Sequence, residues 1–325
     1  MKIILLGPQR RPTLDGVVRS LGLGSGLARP VATITAGWRE REPDDAELSA
    51  HLPGDVRDQG GAVNLGLYRR WLDVQDRDPE YFAGARRLAD ALAELQDLYL
   101  LRLDYALRAV YAVQRRSVSA DLPGEAVAEA LEAVRELDAA HLRRVDGARG
   151  EFFARLAPHD RPVIAGHRAE VSAVLADAAA LVITGGHVGV LAEVLHLFNI
   201  AAALQSTAGQ ATAGRLPVIA WSAGAMALAD RIVLFHDRSP QGPGHAEVYG
   251  SGLSLVRDVV LLPHARARLL LDDMARMAVF ARRFAPARCV PLEAGTRIDV
   301  SSDGAWPPGV RVLGEDGHVS AREAA

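Results

Sequence analysis

Short apolar runs recur along the chain, each ending at a glycine, a proline or a polar turn. "KIILLG" (2–7), "VATITAG" (31–37), "ALVITGG" (180–186) and "LPVIAW" (216–221) are rich in β-branched residues and carry almost no polar alternation. That is the signature of strands covered on both faces. Between the first two lies "TLDGVVRSLGLGSG", room for one short helix and a loop, and this βαβ opening predicts a parallel sheet. Residues 38–66 are polar and rich in Gly, Pro and Asp, and read as loop with one helix at "PDDAELSAHL".

The period then changes. Leu88, Leu92, Leu95, Tyr99, Leu103, Ala106, Val110 and Val113 recur at gaps of three and four, the stripe of one long helix. "SADLPGE" breaks it, and a second stripe runs through Val127, Leu131, Val134 and Leu137 to end near "DGARG". Residues 67–157 therefore read as a helical hairpin inserted into a single α/β domain spanning 1–325. Its apolar face must be buried somewhere. The chain's own core is one place and a symmetry-related copy, giving a homo-oligomer, is another.

After 180 the α/β pattern resumes. "VGVLAEVLHLFNIAAAL" reads as a helix, "AGAMALAD" as a short one, "RIVLFHD" and "VRDVVLLPH" as strands. "ARARLLLDDMARMAVFARRF" has helical spacing, and short strands follow at "CVPL", "TRIDV" and "VRVLG". The expected fold class is α/β, with a mainly parallel sheet flanked by helices.

Composition narrows the function classes. A net charge of −3 with interspersed signs lacks the clustered basic footprint of a nucleic-acid binder. No apolar run approaches membrane-spanning length, and the N-terminus lacks the features of a signal peptide. The single cysteine, Cys289, excludes an intrachain disulfide and fits core packing in a reducing, cytoplasmic setting. The histidines show no H-E-x-x-H spacing, and no P-loop or dinucleotide fingerprint occurs, so neither metal nor cofactor is expected.

The chemistry concentrates at "AWSAG". A serine on a strand-to-helix elbow is exposed, and helix N-terminal N–H groups lie beside it. Position 220 is alanine where such elbows commonly carry glycine. To act as a nucleophile, Ser222 needs a base, a group orienting that base, and donors for the oxyanion. Asp237 lies fifteen residues on and His264 forty-two, both at predicted strand ends, and "TGG" (184–186) ends another strand. In a parallel sheet such ends share one crevice.

With these elements the sequence resembles the serine peptidases that include dipeptidase E and cyanophycinase, whose fold is like that of the class I glutamine amidotransferases. The resemblance rests on Gly185-Gly186, on Ser222-Ala223-Gly224-Ala225, on an acid at Asp237, and on Pro263-His264. "PLEAGTRIDV" is similar to the strand pair after the family's last long helix. The resemblance implies Ser222 as nucleophile, His264 as general base and then acid, and Asp237 as the orienting acid. Glu247 and Asp230 are alternatives for that acid, and the N–H groups of Gly186 and Ala223 would form the oxyanion hole. Where the family carries a polar pair after the Gly-Gly turn, this chain has His187-Val188. The helical insertion also has no counterpart in the small dipeptidases, so aspartyl specificity is not carried over.

A glutaminase needs a cysteine at the elbow, and position 222 is serine. An α/β-hydrolase shares the order Ser, Asp, His but lacks a "TGG" strand before its elbow. The expectation is a serine hydrolase cleaving amide bonds of short peptides or peptide-like substrates, as an exopeptidase, with residues 238–250 shielding the crevice. The rival from another class is a catalytically silent binding or assembly module of the same fold.

Overall fold

The computed structural model describes residues 1–9, 14–22, 29–52, 61–116, 122–207, 216–238, 244–301 and 304–321. The apolar runs form strands β1 (Ile3–Leu6), β2 (Val31–Ile34), β4 (Ala180–Ile183) and β5 (Val218–Trp221). With β3 (Ala62–Asn64) and β10 (Arg297–Val300) they make a six-stranded sheet of order β10-β1-β5-β4-β2-β3. Only β10 runs antiparallel, at one edge. The reason for the unbroken apolar runs is visible in the register. Ile3, Leu5, Ile34, Ile183, Val218 and Ala220 face one core. Ile4, Leu6, Val31, Val182, Ile219 and Trp221 face a second, closed by α1 (Leu14–Ser20) and α2 (Ala46–His51). Strand β3 corrects the loop expected over 38–66; three residues are too few to show a period. The loop expected at the end of "TLDGVVRSLGLGSG" lies outside the described residues from 23 onward. Of the break expected at "SADLPGE" (119–125), residues 119–121 lie outside them, whereas 122–125 are already helical.

After α3 (Leu67–Arg77) comes the hairpin: α4 (Pro79–Arg115) and α5 (Leu122–Leu156). At 37 residues, α4 is roughly 55 Å long at 1.5 Å per residue. It starts where Asp78 accepts the Tyr81 N–H and Pro79 occupies the first turn. Arg161 then ties Asp78 (2.6 Å) and Glu80 to the start of α6 (Pro162–Asp177). Tyr99, Leu103, Val110, Val127, Leu131, Val134 and Leu137 are all buried in the main core. The stripe thus packs on the chain's own body.

One polar cluster is buried with them. Arg283, on α11 (Met274–Phe284), donates from Nε and Nη2 to both oxygens of Asp138 on α5, at 2.7 and 2.8 Å. Its Nη2 also meets the Tyr99 hydroxyl, which donates to Asp138 Oδ1 and accepts the Val248 N–H. Nη1 donates to the Ala246 carbonyl. Ala246 and Val248 flank and enter β7 (Glu247–Gly250), so one guanidinium joins both hairpin helices, α11 and β7.

The rest departs from the expected single sheet. β6 (Ile232–Leu234), an expected strand, pairs antiparallel in a separate ribbon with β7, which lies in the stretch 238–250 expected to be a shielding loop. Residues 239–243 of that stretch lie outside the described residues. β8 (Val259–Pro263) and β9 (Arg288–Leu292) run parallel in a second sheet with β11 (Arg311–Leu313) and β12 (Val319–Ala321). The helix expected over 188–204 is two, α7 (Val188–Leu197) and α8 (Ile200–Thr207), bent by 54° where Asn199 takes a positive φ. Among the described residues no single helix is long and apolar enough to cross a membrane. Cys289 on β9 is buried, and burial pushes its thiol up to about 12, which fits the packing role.

The Arg283 cluster makes a direct prediction. Asp138→Ala leaves a guanidinium with 2% side-chain exposure uncompensated, and should cost about 3–5 kcal/mol. Tyr99→Phe, which keeps the ion pair, should cost only about 1–3 kcal/mol. Urea denaturation of the two variants checks the order.

Candidate active site

The elbow is formed by backbone geometry that serine rarely adopts. Ser222 has φ 52° and ψ −120°, between the end of β5 and the start of α9 (Ala223–Leu228). Its N–H still donates to the Leu6 carbonyl of β1 at 3.2 Å, and its carbonyl accepts the Met226 N–H at 3.1 Å. The turn is therefore clamped between a finished strand and a beginning helix. Gly224 explains why the residue after Ala223 must be small. A Cβ there would lie 2.5 Å from the Thr184 carbonyl and 2.6 Å from that of Ile183. α9 thus packs directly on the end of β4, and this brings Gly185 and Gly186 alongside Ser222. A Cβ on Gly185 would stand 3.1 Å from the Ser222 Cβ. Gly186 has φ +123° and no room for a side chain against Gly37. The N–H of Ala223, at the first position of α9, has no carbonyl partner within its own helix.

These groups line one cavity of about 390 Å³, with Gly186, Val188, Ser222 and Ala223 on one wall. His236, His245, Glu247, Pro263 and Arg268 stand on the others. The departure at 187–188 has a local cause. His187 caps α7, its Nδ1 accepting the Val190 N–H at 3.2 Å, so its ring closes the helix and Val188 faces the cavity.

His264 follows β8 with φ 58° and ψ 35°. Its N–H donates to the Leu292 carbonyl (3.1 Å), and its carbonyl accepts from Ala267 and Arg268, opening the short α10 (Ala265–Arg268). β8 packs against α9, and Pro263, beside His264, lines the cavity. Ser222, Asp237 and His264 were expected at the ends of strands in one parallel sheet. They instead follow β5, β6 and β8, which belong to three different sheets.

The candidate acids separate clearly. Asp237 is buried; its Oδ1 accepts from Arg276 Nη2 at 2.6 Å and its Oδ2 accepts the Leu270 N–H at 3.1 Å. It stands behind the cavity wall, which its exposed neighbour His236 lines. Asp230 pairs loosely with Arg231 at 3.5 Å, away from the cavity. Glu247 does line the cavity, its Oε2 accepting from Gln96 Nε2 at 2.7 Å. Burial raises its pKa, against the opposing pull of that hydrogen bond. His245 is also lowered by burial, with the Arg276 charge adding to the effect and Asp104 opposing it.

A fourth carboxylate escaped the sequence reading. Glu293 directly follows β9, whose Leu292 is in register with Pro263 of β8. Residues 264 and 293 therefore leave adjacent parallel strands at the same level. The Glu293 Oε1 accepts the Arg266 N–H at 2.7 Å, inside the turn that His264 opens. The available signal was an acid ending a short apolar run, "CVPLE", which matters only once β9 is known to lie beside β8.

The strain at residue 222 is testable. Backbone held in sparsely populated φ/ψ costs on the order of 1–3 kcal/mol, and glycine removes most of it. Ser222→Gly should raise stability by about 1 kcal/mol, whereas Ser222→Ala should leave it nearly unchanged. Paired chemical denaturation curves give the comparison.

No known family model matches this chain, and no curated protein matches it.

Proposed function

We propose that this protein is a serine hydrolase cleaving amide bonds of short peptides or peptide-like substrates, of the kind its resemblance to dipeptidase E and cyanophycinase implies. The observation that carries this reading is the left-handed backbone of Ser222. A non-glycine residue held at φ 52° on a strand-to-helix turn, at the wall of a cavity, points to selection for what its hydroxyl does there. In this reading the Ser222 Oγ attacks the scissile carbonyl and its proton passes to the His264 imidazole. The N–H groups of Gly186 and Ala223 take the developing oxyanion. The imidazolium then protonates the leaving nitrogen, the C–N bond breaks, and an acyl ester remains on Ser222. Water, deprotonated by the same imidazole, attacks that ester and releases the carboxylic acid and the free serine.

The orienting acid is assigned to Glu293 in preference to Asp237. In support of this, Glu293 leaves β9 at the level where His264 leaves β8, while both oxygens of Asp237 hold Arg276 and the Leu270 N–H. In this assignment Asp237 fixes the start of α11 and keeps His236 facing the cavity.

A fluorophosphonate probe tests the reading. It should label the wild type at Ser222 and fail on Ser222→Ala and His264→Ala. Glu293→Gln should slow labelling by about 10²–10⁴-fold, the range for loss of a triad acid. Asp237→Asn should alter it only severalfold; a collapse there with Glu293→Gln active would return the role to Asp237. Labelling should weaken as pH falls through the imidazole range of roughly 8 to 5, since a cationic ring cannot accept the serine proton. Absence of labelling in folded wild type at pH 8 would identify a binding module instead.

A further inference from the structure

A second cavity, of about 400 Å³, opens between the helical hairpin and α7. Its walls are mostly apolar: Leu88 and Leu92 from α4, Phe152 and Phe153 from α5, Leu197 from α7. This size and lining suit a small organic group. One wall is polar in an unusual way. Arg149 contributes a guanidinium whose Nη1 is fully enclosed yet has no hydrogen-bond partner among the described residues. A buried donor left unpaired is costly, and a cavity beside it is where an acceptor oxygen would repay that cost. Glu193 also faces the chamber, its Oε1 accepting from Trp71 Nε1 at 3.0 Å.

The chamber and the Ser222 cavity share their walls. Val188 lines one and Gly189, the next residue of α7, lines the other. Glu247 and Tyr249 project from the same face of β7, the first into the Ser222 cavity and the second into the chamber. The partition consists of the Gln96–Glu247 hydrogen bond and the contact of Tyr249 with Gly189. A Cβ at Gly189 would lie 2.5 Å from the tyrosine hydroxyl, so glycine there lets the ring approach.

We infer that the chamber is the acyl-group pocket of the Ser222 site, and that it selects substrates whose acyl side carries an apolar group with the bulk of a medium-length alkyl chain or an aromatic ring. This rests on the hydrolase reading. In that reading the leaving nitrogen must face His264, at the end of β8. The oxyanion sits at Gly186, two residues before α7. The substituent on the acyl carbon is then left the direction along the first turn of α7, and it reaches the chamber by displacing the Gln96–Glu247 hydrogen bond of the partition. The chamber is a product of the hairpin, which supplies the apolar walls and Arg149.

Two measurements test it. The first is hydrolysis of p-nitrophenyl acetate against p-nitrophenyl octanoate. The octanoate-to-acetate ratio of kcat/KM should be at least tenfold in wild type and fall toward one in Ala93→Phe. That substitution fills the chamber from an exposed position on α4 and spares the core. The second is calorimetric titration of octanamide into Ser222→Ala, which should show saturable binding that Ala93→Phe removes and Arg149→Met weakens. Ester hydrolysis with no chain-length preference and no octanamide binding overturns the chamber assignment and leaves the hydrolase reading standing. Octanamide binding without ester hydrolysis or fluorophosphonate labelling overturns the hydrolase reading, and with it the role of the chamber as a substrate pocket.

Discussion

A guanidinium taken out of water has to be surrounded by acceptors, and Arg283 is surrounded by acceptors from three parts of the chain. Asp138 comes from the second helix of the hairpin and the Tyr99 hydroxyl from the first, and the Ala246 carbonyl leads into β7. No single pair among these would be a strong argument for stability, since desolvation offsets much of what a buried ion pair gains. The value of the cluster is geometric. It is satisfied only when α4, α5, α11 and β7 are all in place, so it specifies one docking of the hairpin on the α/β body. Because Val248 and Ala246 are both held, Glu247 between them is turned toward the Ser222 cavity. The cluster thus sets the wall between the two cavities without entering either.

The elbow shows the opposite economy. Ser222, Asp258 and His264 all sit at positive φ, and two of the three stand at or beside the candidate site. Such backbone is retained only where the surroundings over-determine it. At Ser222 the surroundings are the β1–β5 ladder on one side and the close approach of Gly224 to β4 on the other. The hydrophobic cores on the two faces of the sheet supply the stability against which this local strain is set. The side chain of Ser222 remains partly accessible even so.

What could be read from the residues alone follows from where the deciding contacts lie along the chain. β1, β2, β4 and β5 were legible because a strand buried on both faces has a continuous apolar run. The shortness of these runs, their β-branched residues and the turn residues that end them set them apart from buried helix segments. The hairpin was legible because its stripe persists over many turns. β6 was legible as a strand in "RIVLFHD", but its place outside the main sheet was not, and β7 was missed, because it comes after a Gly- and Pro-rich segment that reads as loop. The break between α10 and α11 was hidden by unbroken helical spacing. Its cause is Asp273, whose side chain caps the Arg276 N–H and starts a new helix. At the site, Ser222 could be named because an elbow is local in sequence, while Gly186 and Ala223 could be named through the resemblance. Glu293 could not, because its relation to His264 exists only through the pairing of β8 with β9. Gln96 is 151 residues from the Glu247 it bonds, a distance over which periodicity carries no information.

The position of the hairpin follows from chain direction. It is entered after β3, which runs parallel to β2, β4 and β5. A connection leaving the carboxyl end of a parallel strand emerges on the same edge of the sheet as every other carboxyl end, and that edge is where β5 presents Ser222. Two helices of more than thirty residues each, inserted at that point, cannot pack on the far edge without recrossing the sheet. They lie instead where they build apolar walls next to the elbow. Among the described residues, the cavity at Ser222 itself is lined by residues 186–268 and by none of the hairpin, whereas the adjoining chamber takes most of its lining from the two hairpin helices. An insertion of the same length and amphipathic period at the amino edge could have been buried equally well, and would have left the Ser222 cavity with no such chamber beside it. The chamber is therefore a consequence of which end of β3 received the extra chain.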